Sequence, residues 1–227
     1  MDNTKSDFLK RREEINDYFS FLEALNRDKV YVNEERVSIK LHRIFIANTF
    51  LLLYNLVEST VRNSIIEIYN KIEDDELTYQ NISSNIKKIW LNKKKKHIIS
   101  NEEESNEEDK SIDKKLEIII QDIVNNEIII LTNKDINISG NIDAQEIRKL
   151  AKKIGFENST NGRDLLNIKE KRNRLAHGEH TFHDVGKDFT YGDLNTYKEN
   201  TFEHLEDVIG KIETFINDKK YKLEESL

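Results

Sequence analysis

Residues 51–63 read LLLYNLVESTVRN. Leucine, valine and tyrosine fall on nearly every side of a helix through this stretch, which marks an element with neighbours all round. No proline or glycine interrupts 36–72, so the spacing predicts one long central helix there. Its most apolar run, FLLLYNLV at 50–57, is too short to span a bilayer. Asn55, Glu58 and Arg62 step by three and four, placing three polar side chains on one face of a helix meant for the core. A buried charge is costly without a partner, so this stripe calls for one.

Outward from that helix, residues 6–27 repeat Phe8, Leu9, Ile15, Tyr18, Phe19, Leu22 and Leu25 at helical spacing. ELTYQNISSNIKKIWL (76–91) reads as a shorter amphipathic helix. NKKKKHIISNEEESNEEDKSIDKK (92–115), basic and then acidic, reads as a flexible charged insertion. The β-branched run EIIILTNKDINISG (127–140) predicts a small hairpin or strand pair. From Asp143 to Ile154 the pattern is helical, with Asp143 as N-cap, Glu146 three residues on and Gly155 as the stop. Two further helices are predicted over 159–177 and 192–218. The expectation is a mostly α helical bundle, one domain over 1–227, with a small β insertion and a charged loop.

The chain has 227 residues, no proline, no cysteine and a net charge of −7. The lack of cysteine excludes a disulfide framework and thiolate metal sites. A protein that simply coats nucleic acid is usually basic, so any nucleic-acid contact here must be local or gathered by pairing of chains. MDNTKSDFLKRREE at the start has no apolar run of the signal-peptide kind. A cytoplasmic chain without a membrane partner is expected.

KEKRNRLAHGEHTFHD, residues 169–184, holds the candidate chemistry. Gly178 suits the position just past a helix end, which puts His177 in the last turn. Asn173 lies four residues before His177 and could orient its ring. Leu165, Ile168 and Leu175 mark the apolar face of this helix, and Arg172 falls on the same stripe. Its guanidinium needs a carboxylate inside the fold or an anion in a cleft. Glu58 is the predicted partner, with Arg62 a second positive charge. His177, His180, His183 and Asp184 have residue types that suit a divalent metal, but a turn at Gly178 would separate the rings. No metal or cofactor is assigned. KKKKH (93–97) reads as a phosphate grip or as a solvated run balanced by the acidic block.

RNRLAHG resembles the Arg–polar–x3–His motif of the HEPN superfamily (higher eukaryotes and prokaryotes nucleotide-binding), through Arg172, Asn173 and His177. LLLYNLVESTVRNSI and ISGNIDAQEIRKLAKKIG are similar to segments of its bacterial MAE-like branch, which is linked to defence and restriction-type operons. The resemblance implies a helical dimer whose two motif helices line one cleft. It implies a metal-independent RNA endonuclease, a toxin or phage-defence effector, that leaves a 2′,3′-cyclic phosphate. His177 would be the general acid or base, Arg172 would steady the phosphorane and Asn173 would orient. Lys169, Lys171 and Arg174 would bind RNA. The partners implied are RNA, a second copy of the chain, and an antitoxin or operon partner protein. The alternative is a non-catalytic HEPN module that binds RNA, a nucleotide or a protein. Some HEPN toxins carry a tyrosine two residues after the histidine as a target for modification. Glu179 stands there, so control by that route is not expected.

Overall fold

The computed structural model describes residues 1–27, 29–100, 112–136 and 140–223. Nine helices and one two-stranded sheet form among the described residues. The helices are α1 (Asp2–Asn26), α2 (Ile39–Asp74), α3 (Ser84–Ser100), α4 (Ile112–Val124), α5 (Asn133–Ile136), α6 (Ala144–Ile154), α7 (Asp164–Ala176), α8 (Phe182–Gly186) and α9 (Tyr191–Asn217). The sheet pairs β1 (Tyr31–Val32) with β2 (Glu35–Arg36), antiparallel, with Tyr31 opposite Arg36.

Two compact units emerge, both discontinuous in the chain. One comprises Met1–Asn63, Ser139–Arg148 and Ser159–Gly210; the other comprises Ser64–Ile138, Lys149–Asn158 and Lys211–Leu227. In the first, α1 buries Phe8, Ile15, Phe19 and Leu22. Phe8 meets Phe202 of α9 edge-on, and Phe50 of α2 meets Phe189 the same way. In the second, Ile86, Ile89 and Trp90 of α3 are buried, and Tyr221 lies against Phe215 of α9.

Helix α2 is the one described helix long and apolar enough to cross a membrane. More than half of its most apolar window is buried inside the protein, which marks a core helix. Phe50, Leu53, Tyr54, Leu56, Val57 and Val61 are all within 2% of full burial, as an all-round apolar pattern requires.

Three expectations change. The helix expected over 76–91 begins only at Ser84. Glu76, at φ 49°, closes α2 instead: Leu77 N–H donates to Ile72 O and Glu76 N–H to Glu73 O, a Schellman cap without glycine. Within 92–115, residues up to 100 continue α3 and residues from 112 belong to α4, while 101–111 lie outside the described residues. Lys93 and Lys94 are not a free basic run. Lys93 donates to Ile130 O, and Lys94 pairs with Asp122 at 2.6 Å. The strand pair expected over 127–140 is absent among the described residues. Ile128 makes a single bridge to Thr78 and α5 follows, while 137–139 lie outside the description. The small hairpin stands at 31–36, where Asn33 and Glu34 both have positive φ, as a tight two-residue turn requires.

Candidate functional site

Helix α7 is anchored by Leu165, Ile168 and Leu175, each at most 7% exposed. Burial of one such side chain stabilises by about 1.5–3 kcal/mol. An ion pair about one-fifth exposed contributes on the order of 1 kcal/mol or less. The apolar stripe therefore holds the helix, and the charged residues on it are not needed for that purpose.

Arg172 lies on this stripe with 21% of its side chain exposed. Its Nη2 is 3.2 Å from Glu58 Oε2, and its Nη1 donates to Asn173 Oδ1 at 2.8 Å. The guanidinium carbon sits 3.8 Å from the centre of the Tyr54 ring. Glu58 Oε1 in turn accepts from Arg62 Nη2 at 2.7 Å. One carboxylate thus bridges two guanidiniums, and the cluster keeps one positive charge in surplus. Guanidinium has five N–H donors, so Arg172 retains uncommitted ones beside that surplus.

The segment before α6 closes around the same residues. Tyr54 OH donates to Gly140 O at 2.5 Å and accepts from Ile142 N–H at 3.0 Å. Burial pushes the Tyr54 hydroxyl above its ordinary range, so it stays protonated and can donate. Asn173 Nδ2 donates to Asn141 Oδ1 at 2.8 Å. Asp143 caps α6, accepting from the N–H groups of Gln145 and Glu146, and forms an ion pair with Lys169. Burial pushes the Asp143 carboxyl up, but the Lys169 and backbone bonds outweigh it and hold it below the ordinary range.

His177 caps α7. Gly178 follows at φ +71°, with Glu179 N–H donating to Arg174 O and Gly178 N–H to Leu175 O. No atom lies within 4 Å of a Cβ built on Gly178, so glycine is required there by backbone conformation, not by space. The His177 ring is exposed and makes no hydrogen bond among the described residues.

Several expected roles change. The Asn173 amide is engaged at both ends, by Arg172 and Asn141, and so orients the guanidinium, not the His177 ring. Lys169 is spent on Asp143 and offers no free cation to phosphate. Lys171 lies over the Phe189 ring at 5.2 Å, and Arg174 makes no side-chain bond among the described residues. Asn55 shares the Glu58–Arg62 face but is exposed, and the side chain that meets Arg172 beside Glu58 is Tyr54, one turn earlier on α2. The spacing 54, 58, 62 was the signal for it, hidden because tyrosine in an apolar helix reads as core. His183 accepts on Nε2 from Arg43 Nη1 at 3.0 Å, in α8, away from the turn that holds His180. Among the described residues no group of three histidine or carboxylate side chains is arranged to hold a metal.

A helical bundle with an Arg–Asn–x3–His motif closing an internal helix defines a HEPN-type fold. The MAE-like HEPN family model matches residues 1–221, and the chain belongs to that family. No curated protein and no solved structure matches the chain.

Proposed function

We propose that this protein is a metal-independent RNA endonuclease working as a dimer, in the role of a toxin or phage-defence effector in the cytoplasm. HEPN domains are often ribonucleases and commonly bind RNA and pair. The observation that carries the reading is the surplus positive charge of the cluster that holds Arg172, where one carboxylate, Glu58, is shared by two guanidiniums. Bidentate guanidinium–phosphate geometry suits that group to a phosphodiester, and to the charge that builds on it during attack.

The chemistry balances without a cofactor. An imidazole takes the proton of a ribose 2′-hydroxyl, and the 2′-oxygen attacks the adjacent phosphorus. The bond to the 5′-oxygen breaks, that oxygen takes a proton from an imidazolium, and a 2′,3′-cyclic phosphate remains. Arg172 and His177 are five residues apart, about 140° around one helix, so a single copy presents them on different sides. Two copies about a two-fold axis supply both groups to one cleft. Lys171 and Arg174 add positive charge there, which reconciles RNA binding with an overall charge of −7. An antitoxin or operon partner would cover the same cleft.

One observation favours binding without cleavage: among the described residues no side chain hydrogen-bonds the His177 ring. The test is incubation of the protein with tRNA and a long single-stranded RNA in EDTA, followed by end-group mapping. Fragments ending in 2′,3′-cyclic phosphate, absent with His177→Ala, support the endonuclease. Tight RNA binding with no new ends supports the binding module.

A further inference from the structure

We propose that Tyr54 is the positioning residue of the Arg172 site and that the Gly140–Asp143 segment is a strap it fastens. The proposal rests on the reading of Arg172 as the phosphate-binding group. Tyr54 is 1% exposed, and its ring and its hydroxyl act on the site together. Its ring face carries the guanidinium at 3.8 Å, a contact that fixes the plane of the group and is worth most when desolvated. Its hydroxyl both donates and accepts, to Gly140 O and from Ile142 N–H, so the side chain cannot swing away without breaking two bonds. Between those two pinned residues stands Asn141, whose Oδ1 holds Asn173 Nδ2 and thereby aims Asn173 Oδ1 at Arg172 Nη1. Asp143, one residue beyond Ile142, holds Lys169 one turn earlier on α7.

Tyr54 therefore reaches Arg172 twice, directly through its ring and indirectly through Asn141 and Asn173. A phenylalanine would keep the first route and lose the second; a leucine would lose both. The strap leaves the outward N–H groups of Arg172 open while removing its freedom to swing. That is the preorganisation a phosphate site needs.

The test uses the full chain and a fully 2′-O-methylated single-stranded RNA, which can bind but has no 2′ nucleophile. Affinity is measured for Tyr54→Leu and Tyr54→Phe, alone and with Arg172→Ala, beside the Arg172 Nε–H signal in proton–nitrogen NMR. Tyr54→Leu is expected to weaken binding about tenfold in the parent and not further once Arg172 is alanine. The Arg172 signal should weaken in Tyr54→Phe and in Asn141→Ala and vanish in Tyr54→Leu. Equal weakening in both backgrounds, or an unchanged Arg172 signal in Tyr54→Leu, would overturn the proposal. If the parent protein neither binds nor cuts RNA, the functional reading falls, and the NMR comparison alone decides whether Tyr54 positions Arg172.

Discussion

Two carboxylates, Glu58 and Asp75, each stand between two cations. Glu58 bridges Arg62 and Arg172, and Asp75 bridges Lys71 at 2.6 Å and Lys222 at 2.7 Å. Asp75 also accepts from Tyr221 OH at 2.9 Å. There the cations are lysines, 41% and 32% exposed, whose charge reaches water directly. What the arrangement secures is the chain's end: Ser83 N–H donates to Tyr221 O, Leu223 N–H to Asn81 O, and Lys222 bridges to Ile82. Around Glu58 one cation is a planar guanidinium, largely buried, seated on an aromatic ring and aimed by an amide. The same charge pattern fastens the 221–223 segment in one unit and seats a guanidinium on an aromatic ring in the other. The cation's shape and burial make the difference, not the count of charges.

Single substitutions probe that contrast. His177→Ala should lower RNA cleavage by about a thousandfold, the usual scale of a lost general acid or base. Its ring is exposed, so the melting temperature should stay put, which calorimetry checks. Glu58→Gln should cost cleavage about tenfold by loosening Arg172, while urea unfolding shows a loss of about 1 kcal/mol, the pair being partly solvated.

Asp75 gives the pH dependence. The bonds from Lys222, Lys71 and Tyr221 hold its carboxyl far below the ordinary range. A carboxyl lowered on folding stabilises the fold above its unfolded value, about 3.9, and that contribution is lost as pH falls toward the folded value. Urea midpoints measured from pH 6 down to pH 2.5 should therefore fall less steeply in Asp75→Asn than in the parent. RNA cleavage at pH 7 should be the same in both.

The smallest effect is expected at the helix ends. Glu76→Gly should stabilise by about 0.5–1 kcal/mol, and Gly178→Ala should destabilise by about 1 kcal/mol. Both positions take the same Schellman cap at positive φ. Thermal melts read both.

Those caps also explain what the sequence could and could not reveal. Gly155 and Gly178 marked the ends of α6 and α7 because glycine announces a left-handed cap. The caps that close α2, α4 and α9 are instead made by Glu76, Asn126 and Lys219, at φ 49°, 54° and 54°. Glu76 and Lys219 carry no such signal, yet the apolar pattern alone placed the ends of α2 and α9 within two residues; what it misplaced was the start of α3. The hairpin at 31–36 was missed because two-residue strands leave no alternation to read. At the site, a charged residue on an apolar stripe was enough to pair Arg172 with Glu58. Tyr54 was hidden among leucines. The Asn141–Asn173 bond joins residues 32 apart, a distance no local period spans.

The central claim is that Arg172 works on a ligand and is more than a structural ion pair. Arg172→Lys tests it most directly, because lysine can still pair with Glu58 but cannot present a planar fork. The measurement is the cleavage rate of a defined single-stranded RNA in EDTA, at matched folded fraction. A loss of about a hundredfold or more with the melting temperature preserved is the predicted result. Cleavage at the parent rate would contradict the account and return Arg172 to a purely structural role.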